Sequence, residues 1–260
     1  MAVVMITGAA SGLGWQLARA CHARGHQLLL TDIDQAGLSA RCAELGGPVL
    51  GVAGDITDSA VHEQLLLSCQ SHYGRLDWLI NNAGITHRSP TLTTAPAVLR
   101  HVMAVDYHAP LELTVSAAPL LRQRAGSVVC IGSMAGWMPV LGRAGYCAAK
   151  AALAQSFEVL RAELGRDGVH LLMVYPSFLD TPIERHALGF DGAPAQHARS
   201  TVGRIRSAEA LAVQVIESLE ARRTRLFPDR FSLLASLLWR LAPSTYYRLM
   251  SRRFAAEIGP

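Results

Sequence analysis

Tyr146 and Lys150 stand four residues apart in Tyr146-Cys147-Ala148-Ala149-Lys150, a spacing that puts both on one face of a helix. A free phenol titrates at about 10 and is a poor base at neutral pH, so it needs an adjacent positive charge to favour phenolate. Lys150 supplies that charge as a compact ammonium, and it is the only lysine in a sequence whose other basic chains of this kind are all arginine. Ser133, in Ile131-Gly132-Ser133-Met134, lies thirteen residues before Tyr146. Its hydroxyl can donate to a substrate oxygen and hold it for proton transfer to or from Tyr146. Together the three residues form an acid/base set suited to an alcohol or carbonyl oxygen.

A second group of residues suits phosphate and ribose. Thr7-Gly8-Ala9-Ala10-Ser11-Gly12-Leu13-Gly14 follows an apolar strand pattern and opens a helical one. Glycines there let the chain turn sharply and bring backbone N–H groups and a helix N-terminus against a pyrophosphate. The spacing G-x-x-x-G-x-G differs from the commoner G-x-G-x-x-G, and taken alone it is also compatible with a simple tight turn. Asp32 ends the next strand pattern, eighteen residues after Gly14. A carboxylate at that place accepts hydrogen bonds from adenosine ribose hydroxyls and repels a 2′-phosphate, while Ser11 and Ile33 offer no positive charge. NAD is therefore expected rather than NADP. A helix-capping role for Asp32 is the alternative, but Asp34 is better placed for it.

The elements that must position these groups alternate along the chain. Val3–Thr7, Gln27–Asp32, Val49–Ala53, Trp78–Asn81, Ser127–Ser133, His170–Tyr175 and Thr224–Phe227 read as strands, with helix-length segments between them. Such alternation predicts an α/β, Rossmann-type, doubly wound parallel sheet of about seven strands in a single domain over residues 1–228. Ligands of such sheets bind outside the carboxyl ends of the strands, where the residues above fall. The stretch from Ser177 to about Arg206, broken by Pro182, Gly189, Gly192, Pro194 and Gly203, reads as a substrate lid.

The glycine turn, Asp55-Ile56 after the third strand, Asn81-Asn82-Ala83-Gly84 after the fourth, and the Ser133, Tyr146, Lys150 set resemble the short-chain dehydrogenase/reductase family over about residues 2–228. That resemblance implies that Asp55 and Ile56 flank adenine, and that Asn82, Ala83 and Gly84 line the cofactor while bracing the sheet; for Asn81 a purely structural role is as good a reading. It implies that Tyr146 and Lys150 also bind the cofactor, and that Pro176 and Thr181, in Tyr175-Pro176-Ser177-Phe178-Leu179-Asp180-Thr181, approach the nicotinamide. Ser177 replaces the family's glycine there, which reduces the loop's freedom. A further departure is Val105-Asp106-Tyr107, where the family carries an asparagine whose backbone carbonyl holds a water of the proton relay. Asp106 keeps the carbonyl and loses the amide donor, so a working but altered relay is expected. Family members commonly pair through two long helices, here around Ala97–Arg122 and Tyr146–Leu164, which implies a homodimer or homotetramer.

Composition excludes several classes. Half of the 260 residues are hydrophobic and 17% are charged, which fits neither a disordered chain nor a nucleic-acid binder. The five cysteines stand singly and the ten histidines form no ligand pattern, so no metal site is expected, and a reducing cytoplasm is. No secretory leader or membrane-spanning run is expected. The net charge of +4 is local, since eight arginines stand against two acids from Arg222 onward. Residues 229–260 read as an amphipathic helical extension, with Leu233, Leu234, Leu237, Leu238 and Leu241 in one stripe and Tyr246, Met250 and Phe254 in another. Such a tail packs on its own domain or a dimer partner, or lies on an anionic membrane. With Phe178, Leu179, Ile183, Leu188 and Phe190 in the lid, it points to a small hydrophobic alcohol or ketone substrate, lipid-like, steroid-like or aromatic. The other readings are a nucleotide-sensing protein with weak catalysis and a membrane-peripheral protein that uses the tail.

Overall fold

The computed structural model describes residues 1–196 and 205–254. Its strands are β1 (Val3–Thr7), β2 (Gln27–Asp32), β3 (Val49–Ala53), β4 (Trp78–Asn81), β5 (Ser127–Ile131), β6 (His170–Val174), two short strands β7 (Leu179–Asp180) and β8 (Arg206–Ser207), and β9 (Arg225–Leu226). Seven of them form one parallel sheet in the order β3-β2-β1-β4-β5-β6-β9. Every residue of β1, β5 and β6 is buried, as strands covered on both faces must be, which is why they read as continuous apolar runs.

The pleat sorts side chains between two cores. Val3 and Met5 of β1 face the core built by α3 (Ser59–Tyr73), α5 (Ala109–Arg122) and α6 (Ala144–Gly165). Val4 and Ile6 face the core built by α1 (Gly12–His22), α2 (Gln35–Leu45) and α7 (Ala208–Glu220). The strand order reverses between β1 and β4, so the chain leaves those strands in opposite directions and opens a crevice at their carboxyl ends.

Three strands are shorter than the sequence suggests: β9 is only Arg225–Leu226, and β5 and β6 stop early. The β5–β6 ladder ends at the pair Ile131–Val174. Beyond it Ser133 leaves the sheet to cap a 3-10 turn over Met134–Gly136, and Tyr175 stacks on Phe227 with ring centroids 4.9 Å apart. Backbone bonding runs one step further, from the Gly132 amide to the Val174 carbonyl and from the Tyr175 amide to the Leu226 carbonyl, before capping and ring packing take over. Between α4 (Pro96–Met103) and α5 the helix widens into a π-helical turn over Ala104–His108 that carries Asp106. Such turns displace side chains from the regular helical face.

The described part of the stretch expected to be a lid is more ordered than its glycines and prolines suggest. It contains β7, a 3-10 turn over Pro182–Glu184, and Leu188, which is bridged to His87 and Pro194. Residues 197–204, including Gly203 of the expected lid, lie outside the described residues, as do residues 255–260 of the expected tail. The tail forms a hairpin of α8 (Arg230–Leu241) and α9 (Pro243–Arg253). It is fastened by the Tyr246 hydroxyl, which donates to the Pro139 carbonyl at 2.7 Å, and by the Arg240 guanidinium 4.6 Å from the centre of the Trp137 ring. The single leucine stripe expected on α8 is split: Leu233 and Leu238 are partly covered, whereas Leu234, Leu237 and Leu241 are exposed. Among the described residues no helix is long and apolar enough to cross a membrane.

Candidate active site

Lys150 and Tyr146 leave the first two turns of α6 toward the carboxyl ends of β4 and β5. The Lys150 ammonium donates to the Ile131 carbonyl at 3.3 Å and lies 3.2 Å from Asp106 Oδ2. With the two side chains only 6% and 0% exposed, this ion pair is almost free of solvent screening. The other carboxylate oxygen of Asp106 accepts from the Ile85 amide at 2.7 Å. Burial pushes the Asp106 carboxyl up despite Lys150 and that amide. Burial also works to lower the Lys150 pKa, but Asp106 and Tyr146 reverse it and the net direction is up. Lys150 therefore stays cationic, with part of its field spent on Asp106 rather than on the phenol.

Tyr146 is half-buried in the wall of a cavity of about 900 Å³. Its pKa is raised, because burial outweighs the Lys150 cation and Asp106 adds to the rise; the hydrogen bond with Ser133 pulls the other way. The Ser133 hydroxyl accepts from the Ala135 amide at 3.1 Å, which leaves its proton to donate. Ser133, Tyr146 and Lys150 all line the same cavity. Cys147, beside Tyr146, exchanges contacts with the Val140 backbone and has a packing role.

The crevice end of that cavity is walled by Gly8, Ser11, Gly12, Leu13, Asp32, Asp55, Ile56, Asn82, Ala83, Gly84, Pro176 and Thr181. Gly14 is the one glycine of the turn outside the wall, and its role is close packing: a Cβ there would stand 2.0 Å from the Gly8 carbonyl oxygen. Gly8 adopts φ +65°, a conformation that favours glycine. Asn82 braces the turn by donating from Nδ2 to the carbonyls of Thr7 and Gly8 at 2.9 and 3.1 Å. Asn81 faces away and donates to the Thr114 hydroxyl of α5 at 2.8 Å, the structural role.

Asp32 is not the cap of α2. Its two oxygens accept from the Ala10 and Asp34 amides at 2.9 and 3.0 Å, while Asp34 caps α2 through Gly37. Each carboxylate oxygen retains a lone pair for a ribose hydroxyl. The Asp55 carboxylate is held by the amide and hydroxyl of Thr57, both at 2.8 Å, so it shapes its own turn. Ser177 Oγ is buried in the cavity wall without a hydrogen-bond partner. That orphaned hydroxyl, the glycine cradle and the Asp32 lone pairs fit a bound dinucleotide.

Two constellations escaped sequence reading. His87, fully buried, accepts from the Gly145 amide at its Nε2 (2.9 Å) and contacts Ser89 Oγ through Nδ1 (3.3 Å). It caps α6 from across the chain, one residue before Tyr146, and burial with the Arg143 charge pushes its pKa down to about 4. Arg143 in turn makes two bonds to Glu184, at 3.0 and 2.9 Å, and one to the Thr86 hydroxyl at 3.2 Å. Arg88 approaches the same carboxylate at 3.8 Å. The partners of Arg143 and of the His87 cap lie 41 to 58 residues away in sequence, Arg88 and Glu184 are farther apart still, and their local patterns carry no signal.

Residues 2–188 match the family model for short chain dehydrogenases. The chain is 32% identical to the Dehydrogenase/reductase SDR family member 7B of Bos taurus, covering 98% of this chain and 82% of that one. It is 36% identical to the 11-beta-hydroxysteroid dehydrogenase 1A of Arabidopsis thaliana, over 70% of this chain and 53% of the relative. Among solved structures, a short chain dehydrogenase/reductase from Burkholderia phymatum in complex with NAD superposes with a TM-score of 0.83 at 23% identity, covering 94% of both chains. A short-chain dehydrogenase from Sphingobium yanoikuyae in complex with NADPH superposes at 0.79 and 26%, covering 96% of both.

Proposed function

This chain belongs to the short-chain dehydrogenase/reductase family of oxidoreductases, and from that premise we propose that it interconverts a hydrophobic secondary alcohol and its ketone with NAD(H). One observation carries the reading: Ser133, Tyr146 and Lys150 line one cavity that is continuous with the glycine turn and Asp32. The family uses nicotinamide cofactors, and the choice of NAD rests on Asp32. A 2′-phosphate beside this carboxylate would meet like charge, and Arg41 is engaged with the Ala10 carbonyl and Glu44.

Hydride transfer is the chemistry that a nicotinamide held in this cavity would supply. For oxidation, the Tyr146 phenolate takes the hydroxyl proton as the carbinol hydride leaves; for reduction, the phenol returns a proton to the carbonyl oxygen. Ser133 holds that oxygen by donating its hydroxyl proton. Lys150 steadies the phenolate and binds ribose hydroxyls, while Asp106 tempers its charge and adjoins the relay behind it. Gly8, Ser11, Gly12 and Leu13 present the turn to the pyrophosphate, Gly14 keeps that turn closed, and Ile56, Asn82, Ala83, Gly84, Pro176 and Thr181 enclose the remainder.

A hydrophobic substrate is supported by the apolar wall beyond Tyr146, which includes Met138, Val140, Phe178, Ile183, Leu238 and Phe254. Exposed Val115 on α5 and Val159 on α6 support pairing of copies through these helices. Five free cysteines, three of them buried, support residence in a reducing compartment such as the cytoplasm. The test is NADH absorbance with a panel of hydrophobic secondary alcohols. Turnover with NAD should exceed that with NADP, and Tyr146→Phe should lose about 10²- to 10⁴-fold. A mutant as fast as the parent would remove the mechanism. Asp32→Ala should narrow the preference for NAD.

A further inference from the structure

Along α8, Phe231, Leu234, Leu237 and Leu241 recur at three- and four-residue spacing and are between 42% and 83% exposed. Phe231 and Leu234 are at the same time part of the cavity wall, as is the exposed Leu249 of α9. These side chains are therefore the rim of the substrate cavity, wet on one side and turned to the interior on the other. A contiguous exposed apolar rim of this kind marks a surface that is covered in use.

Charge identifies the cover. Arg230, Arg248 and Arg252 are exposed on the same hairpin, and Asp229 is the only acid among the described residues from 229 onward. Two-fold pairing through this face would set the same arginines against one another. An anionic bilayer matches both features, with headgroups for the arginines and acyl chains for the leucines. The twelve residues of α8 extend about 18 Å, well short of the roughly 30 Å of a hydrocarbon core, so the helix would lie in the interface plane.

We infer that the α8–α9 hairpin docks this protein on an anionic lipid surface and that the hydrophobic substrate enters the cavity from the bilayer across the Phe231, Leu234 and Leu249 rim. The docking stands on the surface alone, and the entry route rests on the oxidoreductase reading.

The experiment is co-sedimentation of the full chain with vesicles of phosphatidylcholine, with and without phosphatidylglycerol. Binding should require the anionic lipid and weaken as salt is raised. Leu237→Glu/Leu241→Glu alters exposed positions outside the cavity wall and should weaken vesicle binding at least about tenfold. The same variant should turn over a short water-soluble alcohol at the parent rate but lose turnover of a bilayer-dissolved one. No sedimentation of the parent, or equal sedimentation of the variant, overturns the docking. A variant that changes only the oligomeric mass assigns the face to a second copy and overturns it too. Vesicle binding with equal losses on both alcohols would sink the entry route, and absence of turnover on any alcohol would sink the oxidoreductase reading while the binding result still stood.

Discussion

Asp106 changes what Lys150 can do for Tyr146. An ammonium paired at 3.2 Å with a buried carboxylate stabilises a phenolate less than an unpaired one. Burial and Asp106 both move the phenol's pKa upward, so at neutral pH the acid form is favoured, which suits ketone reduction. Asp106→Asn removes the negative neighbour and should lower that pKa. The pH–kcat profile for alcohol oxidation, which needs phenolate, should then rise at lower pH. The alkaline limb of ketone reduction, which needs phenol, should be lost at lower pH as well. Profiles unmoved by the substitution would end this account of Asp106. At this scale the sequence was most informative where motifs are local. Tyr146, Lys150 and Ser133 announce themselves by spacing, and Asp106 by its departure from a known pattern. His87 and Glu184 act through partners far along the chain, and nothing local distinguishes them from core and surface residues.

At the scale of elements, α6 is held at both ends. His87 caps its start and must be neutral to accept the Gly145 amide. With its pKa at about 4 against an ordinary 6.5, protonation opposes folding as pH falls between those values, so the cap's contribution shrinks in acid. Farther along, Glu158 bonds Arg161 at 3.0 Å and Arg225 of β9 at 2.9 Å, and Arg161 reaches the Leu171 and Thr224 carbonyls. Burial raises the Glu158 pKa, but the two arginines overcome it and hold it at about 2 against an ordinary 4.5. Its stabilisation is complete above about 4.5 and is lost as pH falls toward 2. Glu158→Gln should cost about 1 kcal/mol in urea unfolding at neutral pH and progressively less in acid, because the pair is partly solvated. A deficit independent of pH would show that packing, not charge, is at stake. All seven sheet strands were legible, the central β1, β5 and β6 because strands buried on both faces read as apolar runs, and the edge strands β3 and β9 from their place in the alternation with helices. The α8 stripe was legible only as a pattern, since which leucines are covered depends on the cavity beneath.

For the whole molecule, the exposed Val115 and Val159 make assembly through α5 and α6 testable. Analytical ultracentrifugation should give a dimer or tetramer, and Val159→Glu should shift it toward monomer; an unchanged mass would move the interface elsewhere. The amphipathic pattern of the tail left partner packing and lipid contact open, and pairing through α5 and α6 came only from the family resemblance, because both depend on which side chains the finished fold leaves uncovered. The lone lysine carries a consequence of another kind. A protein with a single ε-amine, nearly closed to solvent and set in the candidate site, offers a covalent address that needs no engineering. Pyridoxal phosphate at alkaline pH, which frees part of an amine whose pKa is raised, followed by borohydride, should label Lys150 alone among side-chain amines and block the tryptic cut after it, leaving one peptide that spans residues 144–161. NAD added beforehand should slow that labelling. Labelling indifferent to NAD would place the ribose away from Lys150.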